Sequence, residues 1–327
     1  MRNREWNGNG ERCRAAVVTM LLLVGSSPAL AVDGVIEINQ AAALAGGITA
    51  CDGPGFPVSL CSSGSYRLTS NLTYATGRGI EILTDDVTLD LNGMTISGPT
   101  TCTVGVFGWV TSCTTDPAIS NFAIAVGQSA QPRIRNGVVR GAEGGCVDVS
   151  STLAAVLEDL VLTNCGSHGV LVGSRTSLTR VRAIGNRGVG ILGTSQSPQV
   201  QLRDVIVTNN GSLGITLWSG SEVSDLVTAQ NAGAGIELGT GGMLANFSST
   251  GNLGNGVKLG DGSLARSGVV RDNGVALSAS CGVQGQGGAG YREVVITAAA
   301  GGNPATACGP GLVNLGNNTC QGTTCPP

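Results

Sequence analysis

The stretch Asn231-Ala232-Gly233-Ala234-Gly235-Ile236-Glu237-Leu238-Gly239 decides the fold, because its pattern returns along the chain at a nearly constant interval. Its anchor, Asn231, is one of a series: Cys165, Asn186, Asn210, Asn231, Asn252 and Asn273, with gaps of 21, 24, 21, 21 and 21 residues. Four residues after the first five anchors stands a glycine (169, 190, 214, 235, 256), followed by a short β-type triplet such as Val170-Leu171-Val172 or Ile236-Glu237-Leu238. Apolar residues recur eight and five positions before the anchors, as in Leu157/Leu160, Leu202/Val205 and Leu244/Phe247. Self-similarity at this period means a solenoid, in which each repeat buries its apolar side against its neighbours.

Two solenoids share the half-pattern Leu157-x-x-Leu160-x-Leu162-x-x-Cys165: the leucine-rich horseshoe and the parallel β-helix. The segment after each anchor favours the β-helix. It holds glycines and a second β-branched triplet, with no run of helix formers, so a coil reads as strand, corner, strand, corner. The horseshoe is the alternative. The expected fold is all-β, a right-handed parallel β-helix with about 21–24 residues per coil. It carries a short N-terminal helical cap and a disulfide-tied C-terminal cap. Stacked coils place equivalent residues in columns about 4.8 Å apart. The aligned asparagines then form a ladder that satisfies corner backbone groups.

The motif N-x-G-x-G-[IV]-x-L-G resembles the right-handed parallel β-helix proteins of the pectin lyase-like superfamily, and Asp86-Val87-Thr88-Leu89-Asp90-Leu91-Asn92-Gly93 is similar to an opening coil of that family. The likeness runs from about Ile80 to Ile296 and specifies the fold. It matches no single catalytic family. His168-Gly169 is similar to part of the G-H-G motif of polygalacturonase-type glycosidases, but Ser167 precedes it, and the R-x-K and N-x-D signatures are absent, as is the D-P-H-E motif of mannuronan epimerases.

The rest of the chain frames this repeat. It has 327 residues, 53 glycines, 12% charged and 3% aromatic residues, and a formal charge of -3, so nothing invites nucleic acid by long-range attraction. Residues 1–31 read as a secretory signal: Arg12 and Arg14 before an apolar core from Ala15 to Val24, then Ala29-Leu30-Ala31 as the cleavage site. That core is too short to span a bilayer, and no transmembrane segment is expected in the mature chain. The expected location is extracellular, periplasmic or at the cell surface. Eleven cysteines fall to ten once Cys13 is removed, an even number that suits an oxidising compartment. Neighbour spacing pairs Cys51 with Cys61, Cys102 with Cys113, Cys146 with Cys165, Cys281 with Cys308 and Cys320 with Cys325. Residues 32–79 read as the N-terminal cap, with a strand at Val35 to Ile38 and a helix from Gln40 to Ala45 capped by Asn39. Residues 80–297 read as the coils and 298–327 as the C-terminal cap.

Ile124 follows Ile80 by 44 positions, two coil lengths, with no second coil recognisable inside. Residues 98–120 therefore read as a loop pinched by Cys102 and Cys113. Phe107 and Trp109 stand on it in a chain poor in aromatics. They form a candidate ligand-binding tip, able to stack on a sugar ring, or else they fold back onto the solenoid flank. Six residues before each anchor come Asp159, Arg180, Asp204, Asp225 and Asn246. Stacking makes Asp204 and Asp225 neighbours, which offers a carboxylate pair for acid and nucleophile roles; the plainer reading is Asx residues bonding corner backbone. His168 with Arg187 in the next corner sketches a base and a carboxylate-neutralising cation for β-elimination on a uronate; an ordinary corner histidine is the plainer reading. Glu237 and Lys258 should stack as a surface ion pair. No metal site is expected, and no cofactor; calcium among Asp85, Asp86 and Asp90 lacks a recognised ligand spacing. The sequence thus points to a secreted or cell-surface protein that binds polysaccharide or a surface partner through its flank and the 98–120 loop. A lyase or hydrolase acting on acidic glycans, and a passive structural or adhesin module, are the alternatives.

Overall fold

A computed structural model describes residues 34–115, 121–128, 131–194, 197–274, 281–297, 307–321 and 323–325. The expected signal segment lies outside the described residues, as do 116–120 of the excursion, 195–196 of the long corner and 298–306. Residues 31–327 form one compact unit.

The repeat folds as its spacing requires. One column of apolar residues, Val58, Ile80, Ile124, Val147, Val170, Ile191, Ile215, Ile236, Val257, Val283 and Ala307, pairs in parallel from coil to coil. These strands make an 11-stranded sheet, and a second, 17-stranded sheet holds the remaining strands of each coil. The result is an all-β parallel solenoid of about ten turns. Leu157, Leu178, Leu202, Val223 and Leu244 form one buried inward column and Leu160, Val181, Val205, Leu226 and Phe247 another. Each such side chain removed from water contributes roughly 1.5–3 kcal/mol.

In the longer strands, such as Gln201–Thr208 and Glu222–Ala229, the chain bends at one left-handed residue, so each strand presents two facets. That residue is Asp159, Arg180, Asp204, Asp225, Asn246, Ser267 or Glu293, with φ between 51° and 55°. Aspartate and asparagine tolerate this conformation better than most residues, which is why the column is rich in them. Two further left-handed corners close each coil, at Gln230 and Gly241 in the best-formed turn.

The anchors form a continuous ladder in the core. Asn210 Oδ1 accepts from the backbone N–H and the Nδ2 of Asn186 at 3.0 and 3.1 Å, and Asn231 Oδ1 does the same for Asn210. The pattern continues through Asn252 to Asn273, and Cys165 N–H donates to Asn186 Oδ1 at the first rung. Asn186, Asn210, Asn231 and Asn252 are fully buried. All five expected disulfides are present, including Cys281–Cys308 and Cys320–Cys325 in the C-terminal part.

The stack begins earlier than the expected boundary at residue 80. Val35–Ile38 pairs with Gly64–Leu68, and Val58–Leu60 with Ile80–Ile82, both in parallel, so the segment read as a cap contains strands of a full coil. The disulfide loop between Cys51 and Cys61 breaks the period there, which hides the coil in the sequence. The helix Gln40–Ala45 covers this end, with Asn39 Oδ1 accepting from Ala42 N–H and Gly46 turning the chain out.

Candidate functional site

The excursion is a single insertion. Ile80 pairs directly with Ile124, so the chain leaves the solenoid and returns to the next coil. Its described part is an antiparallel hairpin, Cys102–Val104 with Val110–Cys113, with the two cysteines opposite each other. The hairpin lies back along the corner that carries the asparagine ladder. Val110 is almost fully buried, and its N–H donates to Asn209 O at 3.1 Å, while Asn209 Nδ2 donates to Gly108 O at 2.6 Å. Asn209 Nδ2 also reaches Gln230 Oε1 on the next coil. At the tip, the Phe107 and Trp109 rings stack on each other, with centroids 5.0 Å apart and planes 14° from parallel. Phe107 is 67% exposed, and Val106 beside it stands fully in solvent. Thus Val110 holds the hairpin down and the two rings form a stack on its outer side.

His168 sits in the same corner, nearer the hairpin's root. Its Nδ1 accepts the backbone N–H of Val189 on the next coil at 3.1 Å. A Cβ on Gly188 would fall 2.8 Å from that nitrogen, so the glycine is what lets the ring lie against the neighbouring turn. Burial lowers the His168 pKa below its ordinary value. The neutral ring therefore carries its proton on Nε2 and offers a donor, the acceptor nitrogen being engaged. Arg187 follows on the next coil, its N–H bonded to Cys165 O.

The left-handed column stacks as expected. Arg180 binds Asp159 through Nε and a terminal nitrogen at 2.6 and 2.8 Å, and this hydrogen bonding holds the Asp159 carboxyl below the usual carboxylate range. Both groups are about half exposed, so the pair adds little stability. Asp204 and Asp225 occupy consecutive rungs, both exposed, and Asn246 Nδ2 donates to Asp225 Oδ1 at 3.3 Å. Lys258 and Glu237 stack in register with Nζ 3.6 Å from Oε1. Asp90 is taken up by Arg135 and by Asn136 Nδ2, and among the described residues no group of three or more His, Cys, Asp or Glu side chains gathers to hold a metal. No helix among them is long and apolar enough to cross a membrane.

A feature that the linear reading passed over lies on the first facet of the longer strands. Two adjoining depressions share Gln201 and Glu222 there. One, of about 310 Å³, is also lined by Arg175, Gln199 and Gly220. The other, of about 270 Å³, runs from Arg203 past Ser224 and Ala245 to Arg266. These residues alternate with buried leucines and valines and look like ordinary outward positions. Reading down the column 203, 224, 245, 266 would have exposed them.

No family model matches the chain, and no curated protein matches it in sequence. Solved structures do match in shape. A variant of a periplasmic alginate epimerase superposes with a TM-score of 0.54 at 11% identity, over 80% of this chain and 76% of that one. The Dettilon tailspike protein gives 0.53 at 9% identity, over 82% of this chain and 59% of the tailspike. The A-module of a mannuronan C-5 epimerase from Azotobacter vinelandii gives 0.50 at 14% identity, over 79% of this chain and 88% of the module. This chain therefore spans less than two thirds of the tailspike's length. At such identities the likeness establishes the fold alone: a right-handed parallel β-helix.

Proposed function

We propose that this chain is an exported β-helix protein that binds polysaccharide through the 98–120 hairpin and the flank beside it. The observation that carries the reading is the Phe107–Trp109 stack, held on a disulfide-closed hairpin that is itself clamped to a rigid corner. A flat apolar face pre-set in one orientation suits the C–H face of a pyranose, and little side-chain freedom is lost on binding. The five disulfides support an oxidising location. The alginate and mannuronan epimerases of the same architecture agree with a polysaccharide ligand, while fold alone assigns no activity.

Affinity electrophoresis of the full chain in gels cast with different polysaccharides tests this. Phe107→Ala and Trp109→Ala should each weaken retardation about tenfold, the scale of losing an aromatic stack, with the far-ultraviolet spectrum unchanged. Undiminished retardation in both variants overturns the hairpin reading. Assaying the same polymers for unsaturated uronate and for new reducing ends identifies an enzyme, should the bound chain be cut.

A further inference from the structure

The facet beyond the bend of the longer strands has the pattern of a self-complementary surface. Over six successive coils its outward residues fall in three columns. The bend column reads Arg180, Asp204, Asp225, Asn246, Ser267, Glu293. The middle column reads Arg182, Ile206, Val227, Ser248, Val269, Val295, and beyond it come Ile184, Thr208, Ala229 and Thr250. Val227, Val269 and Val295 are 41%, 42% and 40% exposed. In the crease beside them a depression of about 510 Å³ opens over Phe247 and Gly268. Single exposed valines are ordinary, but these make a stripe on a regular sheet, with charge kept to its ends and edges.

The charges select one way of pairing this face with itself. In a two-fold pair, whatever one copy's residue meets on the other is met in return. Consider two antiparallel stacks, with the axis lying along the strands between the coils of Asp225 and Asn246. Asp225 then meets the partner's Asn246, Asp204 meets the partner's Ser267, and the coil of Arg180 and Arg182 meets that of the partner's Glu293. Arg180 already holds Asp159, so Arg182 is the cation offered to Glu293. Ile206, the bulkiest apolar residue of the middle column, lands on the coil of Gly268, where the depression lies. A shift of one coil in one direction sets Asp225 against its own copy; in the other it sets Asp204 against Glu293. An axis along the stack instead opposes Arg182 to Arg182. Like charges disfavour each of these alternatives. The hairpin touches the corner at Gly185, Asn209 and Gln230, all on one side of the chosen axis, so the two hairpins do not face each other.

We propose that this facet joins two copies of the chain, face to face and antiparallel. Six coils at about 4.8 Å and five residues at about 3.3 Å give roughly 450 Å² of plan area per copy, below the 800 Å² or so of a standard interface. The dimer is therefore reversible, with a dissociation constant in the micromolar range. It stands apart from the polysaccharide reading, since no residue of the hairpin takes part.

Sedimentation equilibrium of the full chain over about 1–200 μM tests the pairing. A monomer–dimer equilibrium is expected, weakening as salt rises. Val227→Asp, beside the axis, should raise the dissociation constant at least about tenfold with the far-ultraviolet spectrum unchanged. Arg182→Glu and Glu293→Arg should each weaken association severalfold, and the two together should restore it. Within one chain these residues are five coils, or about 24 Å, apart, so the rescue reads a contact between copies. A monomer at every concentration overturns the proposal and leaves the stripe to some other partner. A dimer indifferent to Val227→Asp places the interface elsewhere, and a double variant no tighter than the single ones refutes the register.

Discussion

At the scale of single residues, the corner histidine shows how packing assigns a role that composition leaves open. The chain's one histidine, His168, accepts a backbone N–H through Nδ1 and is pushed by burial towards the neutral form. Its folded pKa lies below the unfolded value of about 6.5, so below that pH the unfolded chain binds the proton more readily. The stability it contributes is then complete above pH 6.5 or so and is lost as the pH falls through the folded pKa. Urea midpoints measured across this acidic range should therefore decline in the native chain. The part of the decline due to the histidine should vanish in His168→Asn, whose side-chain oxygen can still accept from Val189. An identical decline in both proteins contradicts the assignment. The neighbouring asparagines need no titration argument: their amides satisfy buried backbone groups that nothing else reaches, and each broken partner would cost roughly 1–3 kcal/mol.

At the scale of elements, the coils are held in register by complementary sizes as well as by hydrogen bonds. Phe247 fills the inward column where its neighbours are leucine and valine, and the next coil answers with Gly268. A Cβ built on Gly268 would lie 2.2 Å from the Phe247 ring. Gly268→Ala should therefore cost about 1–3 kcal/mol in a denaturant titration, and Phe247→Leu in the same chain should recover much of that loss. Additive losses would show that the two positions are not in contact. The hairpin is the opposite kind of element. Its sequence marks it as an interruption closed by Cys102 and Cys113, and the two aromatic residues mark its tip. Nothing in the period says where it lands, because Gly108 and its partner Asn209 are 101 positions apart and belong to no common column. The first facet was illegible for a different reason. Each of its polar residues is ordinary alone, and only their packing shows that Gln201 and Glu222 lie where two depressions meet.

At the scale of the whole molecule, stability is shared between nearest-neighbour coils, and this makes the period itself testable. Deleting residues 232–252 removes one 21-residue turn and brings Asn273 onto Asn231, with inward columns still facing inward. That chain should fold with a β-type far-ultraviolet spectrum, somewhat less stable than the parent, whereas deleting 232–241 breaks every column and should leave it unfolded. Equal behaviour of the two deletions would contradict the stacked architecture. The repeat determined, from sequence alone, the all-β solenoid, the inward columns, the amide ladder, the Glu237–Lys258 pair and the disulfide partners. All but the disulfides follow from one rule, that equivalent residues lie above one another; the disulfides follow from nearness along the chain. The tertiary structure alone decided what the rule does not reach. It showed that the stack starts before residue 80 and that the hairpin folds onto the ladder corner with its rings stacked together. Those outcomes depend on insertions, side-chain directions and contacts across corners, where spacing along the chain no longer measures distance in space.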